Sequence, residues 1–180
     1  MTAARRFIAS LTTATLLIAF AGCHSKSSAT PQNFIIGLNS YFLDHPECLA
    51  PTPSYPYETS DPVKTTQLDS LVDSKLLDVK VDYAIHVSRY TVTNFGTRYA
   101  PRFCYGHRVV DRIASFTPPT PRNGFPETDV VYEYHVEDVP VWAKSDKVRQ
   151  AFPEMAKAIA GASTAKATLA GTMAGWQVPD

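Results

Sequence analysis

Charge of one sign is missing from this sequence: 17 Lys and Arg stand against 17 Asp and Glu, and the formal net charge is zero. No run of Lys or Arg stands out along the chain. Clustered cations are what draw a protein to nucleic acid, so the balance argues against a nucleic-acid partner. Long hydrophobic runs are missing as well. The apolar stretch from Phe7 to Ala21 is diluted by Thr12, Thr13 and Thr15 and falls short of the roughly 20 apolar residues a membrane span needs. No P-loop, no G-x-G-x-x-G and no G-x-S-x-G elbow occurs, which removes the usual phosphate-binding and serine-hydrolase signatures. No internal repeat is visible. The expectation from these absences is a protein that is not an enzyme and needs no cofactor.

The start of the chain carries the strongest positive signal. Arg5 and Arg6 precede the apolar stretch, which closes on Phe20-Ala21-Gly22-Cys23. A basic n-region, a short apolar core and small residues at the cut describe a secretory signal rather than a transmembrane helix. Phe20-Ala21-Gly22-Cys23 also resembles the lipobox of bacterial lipoproteins, with Phe20 where Leu is usual. The resemblance implies a signal peptide over 1–22, cleavage before Cys23, and acylation of Cys23 with palmitate-type chains. The mature protein would be anchored by that lipid. His24, rather than Asp, after the cysteine implies an outer-membrane address with the domain facing the periplasm. The expected partners are the membrane, reached through the lipid, and an envelope protein.

Cysteine is scarce, with three in the whole chain. With Cys23 committed to lipid, Cys48 and Cys104 remain, and an even pair in an oxidising compartment is most simply a disulfide. The competing use is a tetrahedral zinc site from His45-x-x-Cys48 and Cys104-x-x-His107. A disulfide removes both thiolates, so the two readings exclude each other.

Periodicity supplies the elements. Residues 23–30 are rich in Ser, Lys and Ala and predict a flexible tether. Phe34, Ile35, Leu38, Tyr41 and Phe42 share a face, predicting a helix over 31–43 with Thr30 as cap and Pro31 at its first position. The Pro-rich stretch 50–62 predicts an extended loop. Leu68, Leu71, Val72 and Leu76 predict a second helix over 64–77, started by a Thr66–Asp69 capping box. A strand is expected over 79–93, with a bulge or turn near Ser88-Arg89, and another over 107–116. A loop over 117–128, turning at Asn123-Gly124, leads to the clearest strand, 129–139. There Val130, Tyr132, Tyr134 and Val136 face one way and Val131, Glu133, His135 and Glu137 the other. A helix over 145–160, interrupted at Pro153, and a C-terminal strand reaching Trp176 complete the chain. The order predicts one α+β domain over 31–180, with helices packed on an antiparallel sheet.

Two sets of residues invite chemistry. Glu133, His135 and Glu137 share a strand face that a metal or an acid–base pair could use, and they carry the alternative reading of a periplasmic metal-binding protein or enzyme. His86, with Asp82 near it, and His107 are further candidates for a polar pocket. Alternate residues on a strand diverge, however, so a solvated face is the plainer expectation. Aromatic residues flank several loops, and Phe125 at the tip of the Pro118–Pro126 loop is the expected partner contact.

Two further resemblances concern the mature part. Leu68 to Val72, Leu76-Leu77 and Tyr90-Thr91-Val92-Thr93-Asn94-Phe95-Gly96 resemble the helix-then-wing pattern of winged-helix domains, with Lys75 where Gly is usual and Val92 in place of Leu. In an exported protein this implies a reused fold rather than a DNA regulator. Phe103-Cys104-Tyr105-Gly106, Val131 to Tyr134, Val141-Trp142-Ala143 and Gly175-Trp176 resemble small uncharacterised bacterial lipoproteins, which implies no activity.

Overall fold

Helix α1 (Pro31–Asp44) starts where the sequence supplies a cap: the Asn33 amide donates to Thr30 Oγ1 at 3.3 Å, and Pro31 takes the first turn. The computed structural model describes residues 26–52 and 54–179, so Cys23 and the expected signal segment lie outside the described residues. Helix α1 buries Phe34, Gly37, Leu38 and Phe42. Gly37 is required by a close approach, since a Cβ there would stand 2.1 Å from the Trp176 carbonyl oxygen.

After the short strands β1 (Glu47–Cys48) and β2 (Tyr57–Thr59) comes helix α2 (Pro62–Asp73). Its start differs from the expected Thr66–Asp69 box. Asp61 Oδ1 accepts from the Val63 and Lys64 amides at 2.8 and 2.9 Å, while the Thr66 hydroxyl donates back to the Pro62 carbonyl. An Asp cap followed by Pro, which has no N–H to leave unpaired, outcompetes a threonine one turn later. The far end closes in a Schellman arrangement: the Lys75 amide donates to Val72 O and the Leu76 amide to Leu71 O, both at 2.9 Å. Lys75 is left-handed at φ 64°, and fully buried Leu71 and Leu76 belong to one apolar cluster.

Strands β3 (Leu77–Asp82) and β4 (Val87–Val92) form a hairpin, with β2 added alongside β4 in the order β2-β4-β3. The turn falls at residues 83–86, ahead of the expected Ser88-Arg89. Asp82 Oδ1 accepts from the Ala84 amide at 3.0 Å, and His86 takes a left-handed φ of 54°. An Asx turn without Gly or Pro leaves little trace in sequence.

Strands β5 (Cys104–Phe116) and β7 (Phe125–Glu137) are thirteen residues each and pair antiparallel from His107↔Glu137 to Phe116↔Val130. The expected loop over 117–128 is partly strand: β6 (Thr120–Arg122) turns at Asn123-Gly124 and pairs with the start of β7, Arg122 opposite Phe125. Pro153 splits the third helical segment into α3 (Asp146–Ala151) and α4 (Pro153–Ala158). Strands β8 (Ser163–Thr172) and β9 (Gly175–Gln177) complete a sheet ordered β1-β5-β7-β8-β9, with β6 on β7, that curls as a half-barrel. The fold class is mixed α+β with antiparallel sheets, as the element order implied.

Two apolar clusters divide the molecule. In one, α1 packs on the larger sheet through Phe34, Leu38, Val110, Val130, Tyr132, Leu169 and Trp176. In the other, α2, the β3–β4 hairpin and α3–α4 enclose Leu68, Leu71, Tyr90, Phe103, Trp142 and Met155. Cys48 and Cys104 face each other across β1 and β5 and are joined in a disulfide. Everything that builds the smaller sheet, with α2, lies in the loop it closes.

Candidate functional site

The alternation of β5 brings Arg108 to the same face as Val110, opposite inward-facing Val136. Its guanidinium lies 4.6 Å from the centre of the Tyr134 ring and 5.5 Å from that of Phe42, a cation–π sandwich. Arg108 Nε lies 2.6 Å from Glu47 Oε1, as an ion pair rather than a bond aligned on the N–H. Tyr105 donates to the other Glu47 oxygen at 3.3 Å. Burial, with the Glu47 charge behind it, pushes the Tyr105 phenol up to about 12. Burial also raises Tyr132, whose hydroxyl is 3.5 Å from the Arg108 guanidinium. Burial alone would lower Arg108, but the Tyr132 contact and the Glu47 charge outweigh it and the net shift is upward. Phenols held this high do not act as bases near neutral pH, and the guanidinium is already neutralised by Glu47. The cluster therefore locks β1 and α1 onto the sheet rather than offering a reactive group. An open groove of about 360 Å³ adjoins it, lined in part by Phe42, Arg108, Tyr132 and Lys166.

On the other face of β7, His135 and Glu137 meet, while Glu133 is drawn away from them. Arg112 holds Glu133 in a bidentate ion pair. His135 is bracketed by Asp111 at 2.8 Å on Nδ1 and Glu137 at 3.0 Å on Nε2. The bond to Glu137 and the charge and bond of Asp111 outweigh partial desolvation and raise the His135 pKa above its ordinary 6.5. Both ring nitrogens are engaged by carboxylates, so neither is open to a metal or a substrate proton until a pair is broken. Among the described residues, no group of three or more His, Cys, Asp and Glu side chains is arranged to hold a metal.

The other expected residues are dispersed. The disulfide takes Cys48 and Cys104, so the zinc arrangement with His45 and His107 has no thiolates. His45 stacks on Tyr41 and bonds its carbonyl oxygen, while His107 lies 3.5 Å from Asp138. His86 and Asp82 flank the β3–β4 turn, where Tyr83 is 81% exposed.

Phe125 is at a tip, as expected, and is 49% exposed. Register places a second feature beside it. Glu127 pairs with Ala170, and a Cβ on Gly171 would stand 3.1 Å from the Pro126 ring. The β8–β9 turn therefore shares the sheet end that carries Phe125. Met173 in that turn is fully exposed, at 104%. The described chain also enters there: a Cβ on Gly175 would stand 3.5 Å from the Lys26 carbonyl oxygen. The Trp176 indole donates to Ser28 O at 3.0 Å, and Asn33 Nδ2 donates to the same oxygen at 2.8 Å.

No family model, curated protein or solved structure matches this chain. Function must therefore be read from the chain's own residues. Sequence reasoning missed Glu47, Arg108 and Met173. Only Arg108 left a signal, as a cation in phase with Val110 on an alternating strand.

Proposed function

We propose that this chain is a lipid-anchored cell-envelope protein of structural or interaction type, held by acylated Cys23 at the outer membrane with its domain in the periplasm. The observation that carries the reading is Cys23 after Ala21-Gly22 at the end of a basic-then-apolar leader. The joined Cys48 and Cys104 support it, because such bonds persist in oxidising compartments. The reactive-looking residues support the non-catalytic half: Glu133 and His135 are engaged in ion pairs, and the buried phenols stay protonated. A metal-binding or enzymatic role through Glu133, His135 and Glu137 would first have to displace those pairs. We read the segment of α2 and the β3–β4 hairpin, which carries the winged-helix resemblance, as a reused fold. Its lack of a cationic surface excess fits that better than DNA binding.

The test is the mass of the N-terminal peptide from protein produced in a bacterial host with the full leader. The reading expects a peptide beginning at Cys23 and carrying fatty acyl chains. A peptide that retains the leader, or an unmodified Cys23, contradicts it.

A further inference from the structure

We infer that the sheet end carrying Met173 and Phe125 rests in the headgroup layer of the bilayer that holds the anchor, so that the protein stands on the membrane in one orientation. The inference rests on the proposed acylation of Cys23.

Tether length leads to it. Only His24 and Ser25 lie between Cys23 and Lys26, a reach of about 11 Å even at full extension. Lys26 is not the start of a loose linker. It lies against Gly175, and two side chains bond the Ser28 carbonyl. A lipid inserted at Cys23 therefore brings the surface around Gly175 to the bilayer.

That surface is composed for the contact. Met173 projects fully exposed from the β8–β9 turn, with Phe125 on the neighbouring β6–β7 tip. An exposed apolar side chain on a turn gains by entering the headgroup–acyl boundary. Lys26 is exposed beside them, and Arg122, opposite Phe125, is half exposed and only loosely held by Asp129 at 3.5 Å. Cations at this level pair with lipid phosphates, and their stems extend along apolar surface. Of the acids nearby, Glu127 is 7% exposed and accepts from Asn123, and Asp129 accepts from Thr168 beside Arg122. The contact surface expected at Phe125 then meets lipid rather than protein.

The geometry also says what stands clear. The thirteen residues of β7 run from Phe125 to Glu137, about 40 Å at the usual rise per residue. The Cys48–Cys104 bond lies beyond the His107↔Glu137 end of that span, where the smaller sheet clusters with Val136 and Val139, so that half, which carries exposed Tyr83, is set away from the membrane.

Mature acylated protein would be reconstituted into phosphatidylethanolamine–phosphatidylglycerol vesicles as Met173→Cys and, separately, Tyr83→Cys. Each would be labelled under non-reducing conditions with an environment-sensitive fluorophore. Quenching by headgroup-level nitroxide lipids is then read on vesicles recovered by flotation. The expected result is quenching several-fold stronger at 173 than at 83. Equal quenching on vesicles that carry the protein overturns the orientation and leaves the anchor standing. Failure of the acylated protein to float with the vesicles overturns both.

Discussion

Cys48 and Cys104 are direct cross-strand partners, and their bond closes a loop of 56 residues that contains all of the smaller sheet and α2. For a loop of this length the chain-entropy estimate is about 4 kcal/mol. The Cys48→Ser/Cys104→Ser double variant is expected to lose a stability of that order and melt roughly 10 °C lower. Thermal unfolding with and without reductant checks it. Wild type in reductant should match the variant, and an unchanged midpoint would contradict the staple.

The α1–β9 contact depends on one missing side chain. A Cβ at Gly37 would stand 2.1 Å from the Trp176 carbonyl oxygen, and backbone cannot give way cheaply. Gly37→Ala is expected to cost about 1–3 kcal/mol by overpacking. It should also release residues 26–30, because Trp176 holds Ser28. Denaturant melts give the first, and faster amide exchange over 27–33 gives the second.

Lys75 offers the opposite sign. It sits at φ 64° at the end of α2, a conformation that costs a non-glycine residue roughly 1–2 kcal/mol. Lys75→Gly removes that strain, against a smaller entropic cost in the unfolded chain. A gain of about 1 kcal/mol is expected. A urea midpoint that rises at unchanged slope is the check.

His135 should titrate above 6.5, since Glu137 and Asp111 favour its imidazolium. A raised pKa in the folded state contributes stability that is fully present below the unfolded value. It is lost as pH rises through the folded value. The imidazole resonances, followed by NMR from pH 5 to about 9 across the ordinary histidine range, should place His135 high. Asp111→Asn and Glu137→Gln should each bring it down.

The fold was legible where a local rule had no rival. Thr30-Pro31 caps α1, and strict alternation from Val130 to Tyr134 marks the core face of β7. Elsewhere two rules competed or tertiary pairing decided. Asp61-Pro62 displaced the Thr66 cap, and the β3–β4 turn closes through Asp82 without glycine or proline. Thr120 to Arg122 reads as loop until β7 offers it a partner. Of the residues in the proposed membrane contact, Phe125 at a loop tip could be read from the sequence. Met173 could not, because its meaning lies in register: only the pairing of β7 with β8 brings it beside Phe125, and only the Gly175 contact brings both beside the chain's entry. Arg108 and Glu47 are distant in sequence, and their pairing depends on β1 lying along β5.

Cell fractionation of the full-leader protein alongside Cys23→Ala tests the central claim most directly. The lipid-anchor account predicts that the wild type sediments with the outer membrane and is released only by detergent, while Cys23→Ala is lost from that fraction. A wild type found soluble, or a Cys23→Ala variant that stays in the outer membrane unchanged, would contradict it.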